Sequence, residues 1–71
     1  MQYAVVIEQT LDGGYSAYVP DLPVCFTVGD SFDEVKQHIR DAIETYLDVA
    51  QEEGIRLPSP SARIELIDIA A

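Results

Sequence analysis

The sequence has one cysteine, one histidine, four Lys/Arg residues and no long apolar run. Each shortage excludes something. Cys25 has no second cysteine, so no internal disulfide staples the chain. Cys25 and His38 together fall short of the four ligands a closed zinc site needs, and neither a metal nor any other cofactor is expected. Lys36, Arg40, Arg56 and Arg63 form no basic run. Phosphate contacts need clustered Lys/Arg, so direct binding of nucleic acid is not expected. No stretch approaches the roughly 20 apolar residues of a membrane span. The opening MQYAVVIEQT lacks a basic segment and reaches Glu8 before any long apolar run, unlike an export signal. A free cysteine without such a signal fits the cytosol, so the expected location is cytoplasmic.

What is present points to a folded, acidic protein. Apolar residues make up 48% of the 71, which excludes a disordered acidic tail. Thirteen Asp/Glu against four Lys/Arg leave a net charge of −9. That charge serves solubility or the steering of a basic partner. The length allows a single domain over residues 1–71. A chain this short buries only about 60% of the surface its unfolded form exposes. With no disulfide or metal, a homo-dimer or homo-tetramer, or a partner protein, is the expected aid.

Hydrophobic periodicity gives the element order. Residues 2–9 alternate as a strand, with Tyr3, Val5 and Ile7 on one side and Ala4, Val6 and Glu8 on the other. Asp12-Gly13 is a tight-turn signal, because glycine accepts positive φ. Residues 15–20 form the return strand and Pro20 ends it. PDLP (20–23) reads as a stiff loop, and Val24 to Val28 as a third strand. Ser31 to Glu34 is a capping box, and the helix runs from Phe32 to Glu53. Phe32, Val35, Ile39, Ala42, Ile43, Tyr46, Leu47 and Ala50 form its apolar stripe. Gly54 is placed to cap its end. After LPSPS (57–61), Arg63 to Ile69 reads as a last strand whose alternation slips, so it is either bulged or covered on both faces.

The fold class is therefore α+β: a two-layer β-β-β-α-β domain, an antiparallel sheet with one long helix on one face. About 22 helical residues span roughly 33 Å and a six-residue strand about 20 Å, so the helix overhangs the sheet. Tyr46, Leu47 and Ala50 then need cover from the last strand or another subunit. One helix covers one sheet face. The other keeps an apolar set, either Ala4/Val6/Tyr18 or Tyr3/Val5/Ile7, and an uncovered apolar face marks a partner site.

DGGYSAYVPDLPVC (12–25), followed by GDSFDEVKQHIRDAIETYLD (29–48), resembles the N-terminal domain of the HicB antitoxin family. The resemblance covers roughly residues 1 to 58 and rests on several spaced elements in order. It implies a partial RNase H-like fold and neutralisation of HicA, a small basic mRNA-cleaving toxin. Val24 departs from the family pattern, which usually has glycine between the proline and the cysteine. The DNA-binding domain found at the C-terminus of many members is not expected here. A solitary homo-oligomeric scaffold or small-ligand module of the same fold is the alternative.

An RNase H-like fold raises the question of catalysis. Two-metal chemistry needs several carboxylates converging around metals about 4 Å apart. Glu8, Asp12, Asp21 and Asp30 are the candidates, but three of them lie in turns, where aspartate commonly bonds the local backbone. No catalytic residue is assigned and the protein is not expected to be an enzyme. Cys25 reads as a buried small hydrophobe and His38 as a half-exposed helical residue. For partner binding, the expected residues are Tyr18, Asp21, Leu22 and Pro23, where Leu22 stands exposed between two prolines, and the helical acids Asp41, Glu44 and Asp48.

Overall fold

A computed structural model describes residues 1–70; Ala71, the last residue of the expected domain, lies outside the described residues. The chain forms β1 (Val6–Gln9), β2 (Tyr15–Val19), β3 (Leu22–Gly29) and α1 (Phe32–Glu53). The three strands make one antiparallel sheet in the order β1-β2-β3.

The turn between β1 and β2 closes where Asp12-Gly13 predicts. Thr10 N–H donates to Gly14 O at 2.8 Å and Gly13 N–H to Thr10 O at 3.1 Å. Gly13 takes φ 90°, a left-handed conformation that side chains disfavour. The Asp12 carboxylate accepts from Thr10 Oγ1 and from Gly14 N–H. These bonds, the Thr10 hydroxyl's first, hold its pKa below the ordinary carboxylate value.

The helix begins and ends at its expected residues. Ser31 Oγ accepts from Glu34 N–H at 3.1 Å, and Glu34 reaches back to accept from Asp30 N–H at 3.2 Å. Gly54 closes the C-terminus at φ 68°. Gly29 has a role beyond breaking the strand. A Cβ there would lie 2.8 Å from Val35 N, so its missing side chain lets the end of β3 pass against the start of α1.

The core is Ala17, Val19, Leu22, Cys25, Val35 and Ile39, with Tyr3, Val5, Ile7, Tyr15, Ala42, Ile43 and Tyr46 packed around it. The open choice between sheet faces is thereby resolved: Tyr3, Val5 and Ile7 face the helix. At the overhanging end of α1, Ala50 is buried, and Tyr46 and Leu47 are half-buried.

β1 is shorter than the expected 2–9, starting only at Val6, and two further expectations are corrected. First, β3 begins at Leu22, so the expected PDLP loop shrinks to a tight reversal at Pro20 and Asp21. Pro23 is tolerated inside β3 because an edge strand need not use every backbone donor. Second, Arg63 to Ile69 forms no strand. A strand needs a neighbour for its backbone N–H and C=O groups, and in this chain neither sheet edge supplies one. Residues 58–62 are instead tied down by side chains. Tyr3 Oη donates to Pro58 O at 3.0 Å. Asp21 accepts from Ser61 N–H at 3.0 Å, Ser61 Oγ at 2.9 Å and Ala62 N–H at 3.1 Å. From Arg63 to Ala70 the chain leaves the fold. Its radius of gyration is 14.0 Å, against about 11 Å for a compact chain of this length.

Candidate binding surface

Because side chains alternate along a strand, each strand that sends one set into the core sends another away from the helix. The register places Val6 opposite Tyr18 and Tyr18 opposite Phe26, a row across all three strands on the face that α1 does not cover. Val28 lies opposite Ser16 in the next such row. Val24 continues the patch to the β3 edge, where it also lines a groove with Cys25 and the helical Asp41 and Val49. Tyr18 is 40% exposed, Phe26 62% and Val24 71%. The Tyr18–Phe26 register pair sits at its centre. The face is open and mostly apolar, with Glu8 and Ser16 in the row beside Val28, while the whole chain carries a net charge of −9.

The residues expected from sequence to bind a partner fall into three separate places. Tyr18 lies on the open sheet face. Asp21, Leu22 and Pro23 lie at the end of the sheet where β2 turns into β3. Asp41, Glu44 and Asp48 lie on exposed positions of α1, in the layer behind the sheet. The sheet stands between Tyr18 and most of the helix, although Asp41 shares a groove with Val24 and Cys25 at the β3 edge.

Leu22 is corrected outright. It is 2% exposed and belongs to the core. The reason is a register irregularity between Tyr18 and Val19, after which Val19 pairs with Leu22. Both side chains then point at the helix. Asp21 is spent within its own chain: its bonds to Ala62 and Ser61 hold its carboxyl below the ordinary value. Pro23 is exposed. Among the acids, Asp41 accepts from Gln37 Nε2 at 2.9 Å and Glu44 pairs with Arg40 at 3.4 Å.

Phe26, Val24 and Val28 are the functional candidates that sequence reasoning passed over. Their signal was available: if Cys25 is buried, its neighbours on both sides point outward. Cys25 is buried, and desolvation pushes its thiol pKa up. His38 is exposed, its Nδ1 2.8 Å from Val28 O. The four candidate catalytic acids do not converge. Asp12 and Asp21 occupy the turns at opposite ends of β2, and among the described residues no three His, Cys, Asp or Glu side chains gather as metal ligands would. Nor, among them, is any helix long and apolar enough to cross a membrane.

Fold and surface together define a two-layer α+β module with one sheet face buried by a helix and the other left apolar and open. Residues 3–69 match the model of a HicB-like antitoxin of bacterial toxin–antitoxin systems, and the chain belongs to that family. It is 48% identical over 46 residues to a UPF0150 protein of Synechocystis, covering 65% of this chain and 58% of that protein. It is 47% identical over 49 residues to a UPF0150 protein of Archaeoglobus fulgidus, covering 69% and 71% of the two chains. Antitoxin HicB 1 of Photorhabdus laumondii is 33% identical over 60 residues, 84% of this chain but 39% of that antitoxin. The chain thus matches little more than half the length of the Synechocystis relative and well under half of the Photorhabdus one. No solved structure matches it.

Proposed function

We propose that this chain is an antitoxin module that binds and neutralises a basic, HicA-type mRNA-cleaving toxin, and that its open sheet face is the docking surface. It works in the cytoplasm by stoichiometric cover of the toxin's RNA-binding and catalytic surface, with no bond made or broken by the chain itself. The observation that carries this reading is the apolar row Val6–Tyr18–Phe26 on the face away from the helix of an acidic protein. Aromatic and aliphatic side chains at the centre of such a face supply the anchors that set the off-rate. Surrounding acids attract a basic partner and set the on-rate. Leu22 has no part in this surface. Phe26→Ala is expected to weaken toxin binding by about 1–3 kcal/mol, mostly through a faster off-rate. The test is surface-based kinetics against a HicA-type toxin together with an RNA-cleavage assay. Wild-type protein that neither binds nor inhibits the toxin sinks the reading.

The second reading is a homo-oligomeric scaffold without a toxin. One observation favours it: the C-terminal segment carries four large apolar residues that its own fold leaves exposed. Self-association is compatible with both readings, since strand edges and the open sheet face are different surfaces.

A further inference from the structure

We infer that the C-terminal segment Arg63–Ile69 is an exchanged strand: it seats on the β1 edge of a second copy of this chain, in the groove between β1 and α1. The segment is apolar where its own fold offers no cover. Ile64, Leu66, Ile67 and Ile69 are all exposed, Leu66 at 91%. Its base is anchored to Asp21, so Arg63–Ile69 is presented outward from a fixed point.

The groove suits it. It encloses about 710 Å³, with Tyr3, Val5, Ile7, Ile39, Ile43 and Leu47 among its lining. In an extended segment, Ile64, Leu66 and Asp68 share one side, and Arg63, Glu65, Ile67 and Ile69 the other. With the first side turned into the groove, Ile64 and Leu66 meet its apolar walls. Asp68 then faces the helix, where Lys36 lines the groove together with Asp33 and the Arg40–Glu44 pair. The opposite side lays Ile67 and Ile69 beside Val6, extending the open apolar face. The slipped alternation of this segment is thus accounted for: Ile64 and Leu66 enter the groove, and Ile67 and Ile69 join the open apolar face.

Of the two free edges, β1 is the receptive one. β3 carries Pro23 and borders the register irregularity near Val19, two features that blunt an edge against pairing. β1 has neither. Strand addition supplies main-chain hydrogen bonds along the edge, and the alternate side chains give it specificity. Reciprocal exchange makes a closed, two-fold dimer.

The test needs no toxin, so its outcome is independent of the antitoxin reading. Wild-type protein is expected to sediment at twice the 7.8 kDa chain mass, and Leu66→Asp at the chain mass with unchanged helical circular dichroism, since residue 66 makes no contribution to its own core. Two single-cysteine chains are then co-refolded, both carrying Cys25→Ser, one with Val5→Cys and the other with Leu66→Cys. A short thiol cross-linker is expected to join them. Joining residue 66 to Val24→Cys on β3 in place of Val5→Cys overturns the proposal. So does cross-linking at the monomer mass in a chain carrying both Val5→Cys and Leu66→Cys, which means the tail closes on its own β1. A monomeric wild type, or a dimer indifferent to Leu66→Asp, overturns it as well.

Discussion

The two faces of the sheet are built from the same three strands and from residues of similar character, yet they have opposite fates. The inner face places Ala17, Val19, Leu22 and Cys25 under α1, where they are buried. The outer face places Tyr18, Val24, Phe26 and Val28 in the open. Hydrophobicity alone does not separate the two sets: the outer one holds the larger side chains. The difference comes from the helix, which has one apolar stripe and spends it on one face. An apolar side chain at the inner face stabilises the fold, and one at the outer face is free to stabilise a complex.

That contrast is sharpest in a pair of substitutions. Leu22→Ala is expected to cost about 2–5 kcal/mol of folding stability through lost burial and a residual cavity, read as a lower denaturant midpoint. Phe26→Ala, on the other face, is expected to leave that midpoint within about 0.5 kcal/mol of wild type, as surface changes usually do. Should Phe26→Ala destabilise the free protein as much as Leu22→Ala, the two faces are not functionally distinct.

A smaller effect tests whether helix position, and so the choice of buried face, depends on local capping. Ser31→Ala removes the acceptor for Glu34 N–H and is expected to cost about 1 kcal/mol with the fold retained. An unchanged midpoint means that the remaining Glu34–Asp30 contact is enough to start the helix.

The tie between the sheet end and the tail responds to pH. Asp21 is lowered by its bonds to Ala62 and Ser61. Its contribution is therefore present above the ordinary aspartate pKa and is lost as pH falls through the depressed folded value. Amide exchange at Ser61 and Ala62 is expected to quicken below about pH 4 relative to neighbouring amides, after correction for intrinsic rates. Asp21→Asn is expected to show the fast exchange at all pH values. Equal protection in both proteins across that range refutes the anchor.

The smallest effect belongs to the helical acids. Neutralising Asp41, Glu44 and Asp48 together is expected to slow toxin association only modestly, because they lie in the layer behind the docking face. The slowing is expected to fade as salt shortens the Debye length below about 8 Å. An off-rate change larger than that of Phe26→Ala would move the docking surface from the sheet to the helix.

Much of this was legible in the residues. The Asp12-Gly13 turn, the Ser31 cap, the Gly54 stop and the helical stripe each depend on neighbours a few positions away, and each appears where its local chemistry predicts. Leu22 was misplaced for a complementary reason. Flanking prolines describe a stiff loop, but a register shift that leaves Pro23, Val24 and Cys25 of its own strand without register partners turns its side chain inward. The role of Gly29 was hidden in the same way, because its constraint is the approach of Val35 and not a turn.

The sequence by itself determined the order of the first three strands and the helix, and both ends of the helix, since caps and side-chain periodicity are local properties. It also determined the acidic charge and, through a single cysteine, the lack of an internal disulfide. Only the tertiary structure decided which sheet face the helix covers, which of Leu22 and Phe26 is buried, and that Asp21 holds Ser61 and Ala62 across 40 or more residues of chain. It also left Arg63–Ile69 without a neighbour. A strand's pattern states that one side is apolar, but burial is a relation between elements distant in sequence, and it exists only once they pack.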